Sequence, residues 1–250
     1  MQNIWTIAKR EFNNYFSTPL AYVISAGLLL ALGLYCIALL WSSNSQIASY
    51  GFANVPDPGQ ISGLFSFLML LVVPALTMRL ISDEARSGTL ELLLTAPVRD
   101  YELVIGKWLG SFLFMLSLIA VSLIFPLIIN NLVDPGIDQV KMMSSYLGLI
   151  LIAASLLALG TGISALFQNP IVSYLVTFLG VFLPLYWLLG LPGYFLPGTA
   201  DFFRYLTMNT HFDSTFNSGV LYLSDLIYFL SLIAIGLFTG TVAVESRRWR

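Results

Sequence analysis

Charged residues are scarce in this sequence of 250 residues: they make up 10% of it, while hydrophobic residues make up 58%. Soluble domains carry about 25% charged residues, so the composition excludes an ordinary soluble core and predicts an integral membrane protein. The formal net charge is −2, and the few basic residues are scattered along the chain. Without a basic patch, we expect no nucleic-acid partner.

Cysteine and histidine each occur once, as Cys36 and His211. The sequence therefore offers no disulfide framework and no metal-ligand spacing, and Cys36, inside an apolar run, is expected to have a packing role. His211 lies far along the chain from any likely nucleophile, and Gly162-Ile-Ser164-Ala165 matches a serine-protease signature poorly. These features argue against an intramembrane hydrolase, and we expect neither catalytic nor metal-binding residues.

A phosphate-binding loop is also missing, because the run GKWLGS at Gly106 lacks the preceding glycine spacing and a Ser or Thr directly after Lys107. We expect this chain to bind no cofactor itself. The interiors of its apolar runs hold no ionisable residues, which argues against a self-contained secondary transporter or proton relay. An uncoupled channel and a static membrane anchor stay open, and co-purification of an ATPase would separate both from an ATP-driven transporter.

Long apolar runs are abundant by contrast. A helix needs about 20 apolar residues to cross the hydrocarbon, and runs of that order occur six times within what reads as a single domain, 1–250. They lie at 19–41, 61–78, 108–129, 142–167, 171–191 and 226–244. Six crossings place both termini on one side of the membrane. Stretch 192–225 is then external, and its prolines and glycines are compatible with partial re-entry into the bilayer.

The basic residues indicate the orientation. Only Lys141 and Arg204 fall on the external side of this arrangement, and the other Lys and Arg lie near the termini or the second connection. Basic residues concentrate on the cytoplasmic side, so both termini are predicted to be cytoplasmic. Segment 1–18 places Trp5, Phe12 and Phe16 at helical spacing, with Lys9 largely on the other face. This pattern predicts an interfacial helix, the alternative being a tail that only sets the topology.

Residues 82–107, SDEARSGTLELLLTAPVRDYELVIGK, form a charged segment with eight charges. Burying eight charges in hydrocarbon would cost on the order of 20 kcal/mol, so the charged segment is expected to stay outside. Leu90, Leu93, Leu94 and Pro97 recur at i, i+3, i+4 and i+7 with Glu91 turned away, which predicts a short amphipathic helix. In this interpretation Gly88 caps the helix, Pro97 ends it and Asp100 caps a second helix. The alternative is a passive connection at the lipid surface.

Small residues and prolines within the apolar runs suggest how the helices pack. The pairs Gly106/Gly110, Gly160/Ser164 and Gly236/Gly240 allow close helix approach, and packing within the chain is favoured over a dimer interface. Pro74, Pro126 and Pro184 remove helix hydrogen bonds and predict kinks, which serve either packing or hinge motion.

The run EARSGTLELLLTAPVRDYELVIGKWLG resembles the segment between the second and third spans of ABC-2-type permeases, the membrane subunits of ATP-driven exporters. The opening KREFNNYFSTPLAYV and the ending YFLSLIAIGLFTGTVAVESRRW are similar to the same family. Within it they are most similar to the gliding-motility-associated and nitrous-oxide-reductase-maturation types. The resemblance implies an all-α, type V exporter-like fold with six transmembrane helices, an N-terminal interfacial helix and a cytoplasmic coupling helix.

The resemblance also implies partners. Two cytoplasmic ABC ATPase subunits would bind ATP and Mg, and a second permease subunit, identical or homologous, would face this one across a pathway in the bacterial inner membrane. The ATPase would contact Glu84, Gly88, Thr89, Leu90, Glu91, Leu93, Leu94, Thr95 and Pro97. It would also contact the interfacial helix through Trp5, Lys9, Arg10, Glu11, Phe12 and Phe16. The cargo and the direction of transport correspond to no recognisable motif.

Overall fold

The computed structural model describes residues 2–50, 57–89, 98–133, 136–192 and 200–248. Within these ranges the regular elements are all helical, and the prediction of an all-α protein is confirmed. The α-helices are α1 (Gln2–Ser17), α2 (Pro19–Tyr50), α3 (Pro58–Thr77), α4 (Ser82–Ser87), α5 (Asp100–Ser122), α6 (Ile124–Leu132), α7 (Gln139–Leu166), α8 (Pro170–Leu175), α9 (Leu183–Tyr186), α10 (Ala200–Leu206), α11 (Met208–Asp213) and α12 (Leu223–Arg248). A π-helical segment, Val176–Phe182, joins α8 to α9, and single 3₁₀ turns lie at Leu188–Gly190 and Phe216–Ser218.

Five helical segments of the described chain are long and apolar enough to cross a membrane, so the chain is a multi-pass membrane protein. They are Pro19–Ser42, Pro58–Ser87, Asp100–Leu132, Gln139–Leu166 and Leu223–Arg247. They cover the first four and the last of the six apolar runs. The remaining run, 171–191, coincides with a shorter apolar helix, Pro170–Tyr186. At 1.5 Å per residue this helix is about 25 Å long, less than the hydrocarbon thickness of about 30 Å, so a sixth crossing stays a prediction.

Local sequence explains where several helices begin. Asp57 caps α3 by accepting the N–H of Gly59, with Pro58 at the first helical position. Asp138 caps α7 by accepting the N–H groups of Val140 and Lys141. Helix α5 differs from the expectation that Asp100 caps it: Asp100 is its first residue, and Arg99 precedes it as the cap. The Glu102 carboxylate accepts the Arg99 N–H at 3.1 Å, which satisfies the donor that lies outside the helix.

Helix α7 is the centre of the bundle, packing against α3, α5 and α12. Its most apolar 18-residue window is 72% buried, whereas that of α2 is only 17% buried. Helix α2 is therefore peripheral, with most of its apolar surface left for lipid or a second subunit. Glycines permit the closest approaches: a Cβ atom at Gly236 would lie 2.4 Å from the Ala158 carbonyl carbon. The other paired glycines also face neighbouring helices of this chain, so their packing is intrachain.

Pro126 accounts for the break between α5 and α6. Proline has no N–H, so the carbonyl four residues before it, that of Ser122, loses its helical donor. The buried Tyr146 hydroxyl of α7 donates to this carbonyl at 3.1 Å. A side chain from the neighbouring helix thus satisfies the freed acceptor, as the absence of water within a bilayer requires.

Candidate functional site

Lys107 forms the centre of a buried ionic cluster at one end of the bundle. Its side chain is 1% exposed, and its Nζ lies 3.1 Å from Glu11 Oε1 and 2.7 Å from Glu84 Oε1. Arg10 completes the group, with Nη2 3.0 Å from Glu11 Oε1 and 3.9 Å from Glu84 Oε1. We refer to Arg10, Glu11, Glu84 and Lys107 as the Lys107 cluster. It contains two cations and two anions, so its formal charge is zero.

The cluster connects three elements that are separate in the sequence. Glu11 belongs to α1, Glu84 to α4 and Lys107 to the first turns of α5. Lysine is almost never fully buried without a partner, and removing one member of a buried ion pair leaves an uncompensated charge. The three elements are therefore held in one arrangement by the need to neutralise Lys107.

Glycines on α5 allow α1 to come close enough for this contact. A Cβ atom at Gly110 would lie 2.7 Å from Glu11 Cβ and 2.8 Å from the Ala8 carbonyl oxygen. One turn earlier, a Cβ atom at Gly106 would lie 2.8 Å from the Ile7 side chain. Because neither position carries a side chain, the backbone of α1 lies directly on α5.

Further hydrogen bonds attach α1 and the charged segment to the bundle. Asn3 donates to Glu102 Oε2 on α5 at 3.1 Å, and the Tyr15 hydroxyl donates to the Leu76 carbonyl of α3 at 3.2 Å. Burial, together with the Glu11 carboxylate, raises the pKa of Tyr15, so its hydroxyl keeps the proton that it donates. On the other side, Ser164 Oγ of α7 accepts the N–H groups of Ile81 and Ser82, each at 3.2 Å.

A cavity of about 710 Å³ lies beside the Lys107 cluster. It is bounded by α1, the start of α2, the end of α3 and α4. Its lining combines apolar and charged side chains: Arg10, Glu11, Asn14, Tyr15, Thr18, Leu20, Ala21, Ala75, Leu76, Arg79, Leu80, Asp83, Glu84, Thr89 and Lys107.

The structure describes only some of the residues that are predicted to contact the ATPase. Glu84 is half-buried against Lys107, while Gly88 and Thr89 are exposed. Gly88 adopts φ +74° and ends α4, a left-handed conformation that glycine accommodates without strain. The rest of the predicted coupling contacts, Leu90, Glu91, Leu93, Leu94, Thr95 and Pro97, lie outside the described residues.

The interfacial-helix residues divide into two groups. Trp5, Lys9, Arg10 and Phe16 are exposed, whereas Glu11 is buried and Phe12 is half-buried against the core. The exposed set is available to a partner or to lipid headgroups. Glu11 instead forms an ion pair with Lys107, so its contact lies within this chain.

Sequence reasoning missed the role of Lys107. It counted this residue as one more charge of the segment, although Lys107 directly precedes an apolar run. That position was the available signal, because a lysine at the start of a membrane-embedded helix needs a carboxylate partner once the helix is packed.

A second buried pair lies at the opposite end of α7 and α12, and the sequence analysis treated its histidine as isolated. His211 Nδ1 lies 2.7 Å from Asp225 Oδ1, and Nε2 lies 2.7 Å from the Tyr205 carbonyl oxygen. A carbonyl only accepts, so Nε2 donates to Tyr205, and Nδ1 faces the Asp225 carboxylate. The Tyr228 ring stacks on the imidazole at 4.1 Å. We refer to these two residues as the His211 pair.

Comparison with known proteins gives the family. The sequence profile of a family described as "ABC-2 family transporter protein" matches residues 5–213. Two curated relatives are each named "Probable ABC transporter permease protein NosY", from Pseudomonas aeruginosa and Stutzerimonas stutzeri. They are 32% and 28% identical to this chain over 111 residues. Each match covers 44% of this chain and 39% of the relative, so less than half the length of either relative is matched.

Proposed function

This chain belongs to the ABC-2 family of transporter proteins and is a permease of that type, and we propose that it couples ATP hydrolysis by a separate ATPase to export across the bacterial inner membrane. The complex would contain two ATPase subunits, which bind ATP and Mg²⁺, and two permease subunits. Each permease would cross the membrane six times with both termini in the cytoplasm. Its uncharged spans favour a lipid-like, peptide or membrane-tethered cargo over a small ion.

The observation that carries this proposal is the Lys107 cluster. ATP-driven coupling requires that a cytoplasmic segment be firmly attached to the transmembrane helices that it displaces. Lys107 bonds α1 and α4 to the first turns of α5, and Ser164 bonds the start of α4 to α7. A force applied at α1 or α4 would therefore be transmitted to α5 and α7 through these contacts.

The proposed movement follows from these attachments. When the ATPase subunits close on ATP, they displace the charged segment and α1 together. The ends of α3 and α5 shift with them, and the pathway between the two permeases opens or closes. Arg10, Arg79 and Lys107 gather at this end of the bundle, which supports its cytoplasmic placement by the distribution of positive charge.

The experiment removes the predicted contact without touching the Lys107 cluster. The double variant Glu91→Ala with Leu94→Ala is expected to insert normally but to lose co-purification with its cognate, co-expressed ABC ATPase. Its matched control is Asp201→Ala with Leu221→Ala, an acidic residue and a leucine that are exposed and belong to the predicted external stretch. The proposal fails if the Glu91/Leu94 variant retains both the ATPase and ATP-driven transport.

A further inference from the structure

The cavity beside the Lys107 cluster lies where the apolar helices meet their charged ends. Leu20 and Ala21 open the apolar run of α2, and Leu76 closes that of α3. Arg79 lies just beyond the end of α3, and Asp83 lies in the first turn of α4. In the proposed topology, one part of the cavity lies at the edge of the hydrocarbon, and the other part lies among the lipid headgroups.

The charges around the cavity are balanced. Arg10, Arg79 and Lys107 contribute three positive charges, and Glu11, Asp83 and Glu84 contribute three negative ones. Lys107 is buried against its two carboxylate partners, so it is not available to a ligand. The groups left for a ligand are Arg10, Arg79 and Asp83 at the mouth of the cavity, with Glu84 behind them. A ligand that carried only negative charge would bring its anion close to two carboxylates.

We propose that this cavity binds the headgroup of a zwitterionic phospholipid, one that carries a phosphate and a primary ammonium as in phosphatidylethanolamine. Its volume of about 710 Å³ falls within the range of about 300 to 1,000 Å³ found for small-molecule sites. The inference goes beyond the proposed function, because it requires a membrane surface and no ATPase.

The phosphate binds to Arg10 and Arg79. Their side chains are 55% and 57% exposed. Arg79 has a long contact to Asp83, at 3.8 Å, and Arg10 uses only Nη2, which lies 3.0 Å from Glu11 Oε1 and 3.9 Å from Glu84 Oε1. Each guanidinium has five N–H donors and therefore retains donors for a phosphate after these contacts. Arginine also binds phosphate in a two-point geometry that a single point charge does not provide.

The ammonium binds on the acidic side of the mouth. The Asp83 carboxylate is 47% exposed and is the acceptor that a ligand ammonium can reach. Glu84 Oε2 is buried and has no hydrogen-bond partner within the described part of the chain, so it adds negative charge beside this acceptor. A primary ammonium supplies three donors to such acceptors. The glycerol and the first methylenes of the acyl chains lie against Leu20, which is 37% exposed at the start of α2, and this places the rest of each chain along α2.

The test is native mass spectrometry of the purified full-length chain, released from detergent after incubation with phosphatidylethanolamine or phosphatidylglycerol of identical acyl chains. The unmodified protein is expected to retain one phosphatidylethanolamine at least about tenfold more tightly than phosphatidylglycerol. The double variant Arg10→Gln with Arg79→Gln is expected to lose this preference. The control Arg86→Gln, an exposed residue of α4 away from the cavity, is expected to bind as the unmodified protein does.

A charge-preserving pair and an ATPase complex complete the design. The pair Arg10→Lys with Arg79→Lys is expected to retain part of the preference, which separates loss of charge from loss of fold. Equal retention of the two lipids by the unmodified protein overturns the proposal, as does unchanged retention in the Gln double variant. Loss of the lipid whenever the ATPase is bound would assign the cavity to the ATPase and would also overturn it. Since ATPase binding is scored separately, either result leaves the proposed function to its own test.

Discussion

Both ends of the bundle hold a buried acid–base contact, but the two are built differently. The Lys107 cluster joins residues 96 and 23 positions apart in the sequence, from three separate elements, and borders an open cavity. The His211 pair joins residues only 14 positions apart. The rings of Tyr205 and Tyr228 surround its imidazole, and the Tyr228 hydroxyl donates to the Leu206 carbonyl at 2.8 Å.

Because of this difference, the Lys107 cluster and the His211 pair have different roles although their chemistry is similar. The His211 pair closes a single connection, that between α11 and α12, and fixes it in place. The Lys107 cluster attaches α1, α4 and α5 to one another, so a displacement of one of these helices is transmitted to the other two. Charge content alone does not distinguish the two ends, whereas the sequence separation of the partners and the presence of the cavity do.

The largest effect is expected at the Lys107 cluster. The variant Lys107→Met removes the buried cation from Glu11 and Glu84 and leaves them only the exposed Arg10, which should cost about 3 to 5 kcal/mol of folding free energy. The measurement is thermal unfolding in detergent. Adding Glu11→Gln and Glu84→Gln to this variant removes the uncompensated charges and should restore most of the loss. If Lys107→Met unfolds at the same temperature as the unmodified chain, the cluster does not hold the three elements together.

A smaller loss is expected at the other end. The variant Asp225→Asn removes the charge that faces His211 Nδ1 and should cost about 1.5 to 3 kcal/mol, the contribution of a hydrogen bond to a charged group. Because this pair fixes one connection only, we expect unfolding to shift while ATPase association is unchanged. Loss of ATPase association in Asp225→Asn would remove the distinction between the two ends.

Helices α7 and α12 pack against each other and connect the two ends of the bundle. The variant Gly236→Ala forces a methyl group against the Ala158 backbone and should cost about 1 to 3 kcal/mol, because backbone cannot yield as a flexible side chain does. The control is Gly27→Ala on α2, where no atom lies within 4 Å of the added Cβ. This control should be neutral or slightly stabilising in the same unfolding assay. Equal unfolding midpoints for the two variants would show that α7 and α12 are not tightly packed at Gly236.

The smallest effect is expected for a second lysine pair of similar geometry. Lys141 Nζ lies 2.7 Å from Asp57 Oδ2, the same distance as Lys107 from Glu84, but these side chains are 27% and 39% exposed. Solvent screens such a pair, so Lys141→Met should cost at most about 1 kcal/mol in thermal unfolding. A loss as large as that of Lys107→Met would show that burial does not set the difference.

Composition and apolar run length were sufficient to predict an all-α membrane protein, because both depend directly on whether lipid or water surrounds the chain. The periodicity of segment 1–18 also predicted a helix there, where the structure has α1, while its interfacial placement and the amphipathic helix of the charged segment stay predictions. The length of the helix at Pro170–Tyr186 was not predictable, as the π-helical segment within it leaves no clear sequence pattern.

The partners within the Lys107 cluster and the His211 pair could not be identified from the sequence, for a different reason. Each depends on contacts between residues that only the packed bundle brings together. Glu11 is the clearest case. The sequence assigns it to an interfacial helix, whereas in the structure α1 lies so close to α5 at Gly110 that the Glu11 carboxylate contacts Lys107.

We propose that the charged segment lies in the cytoplasm and binds the ATPase. The most direct test places a single cysteine there, as Thr89→Cys in a Cys36→Ala background, since Cys36 is the only cysteine of the sequence. Membrane vesicles of both orientations are treated with a membrane-impermeant maleimide. The account predicts labelling in inverted vesicles only, reduced when the ATPase is bound. Labelling of Thr89→Cys in right-side-out vesicles would contradict it.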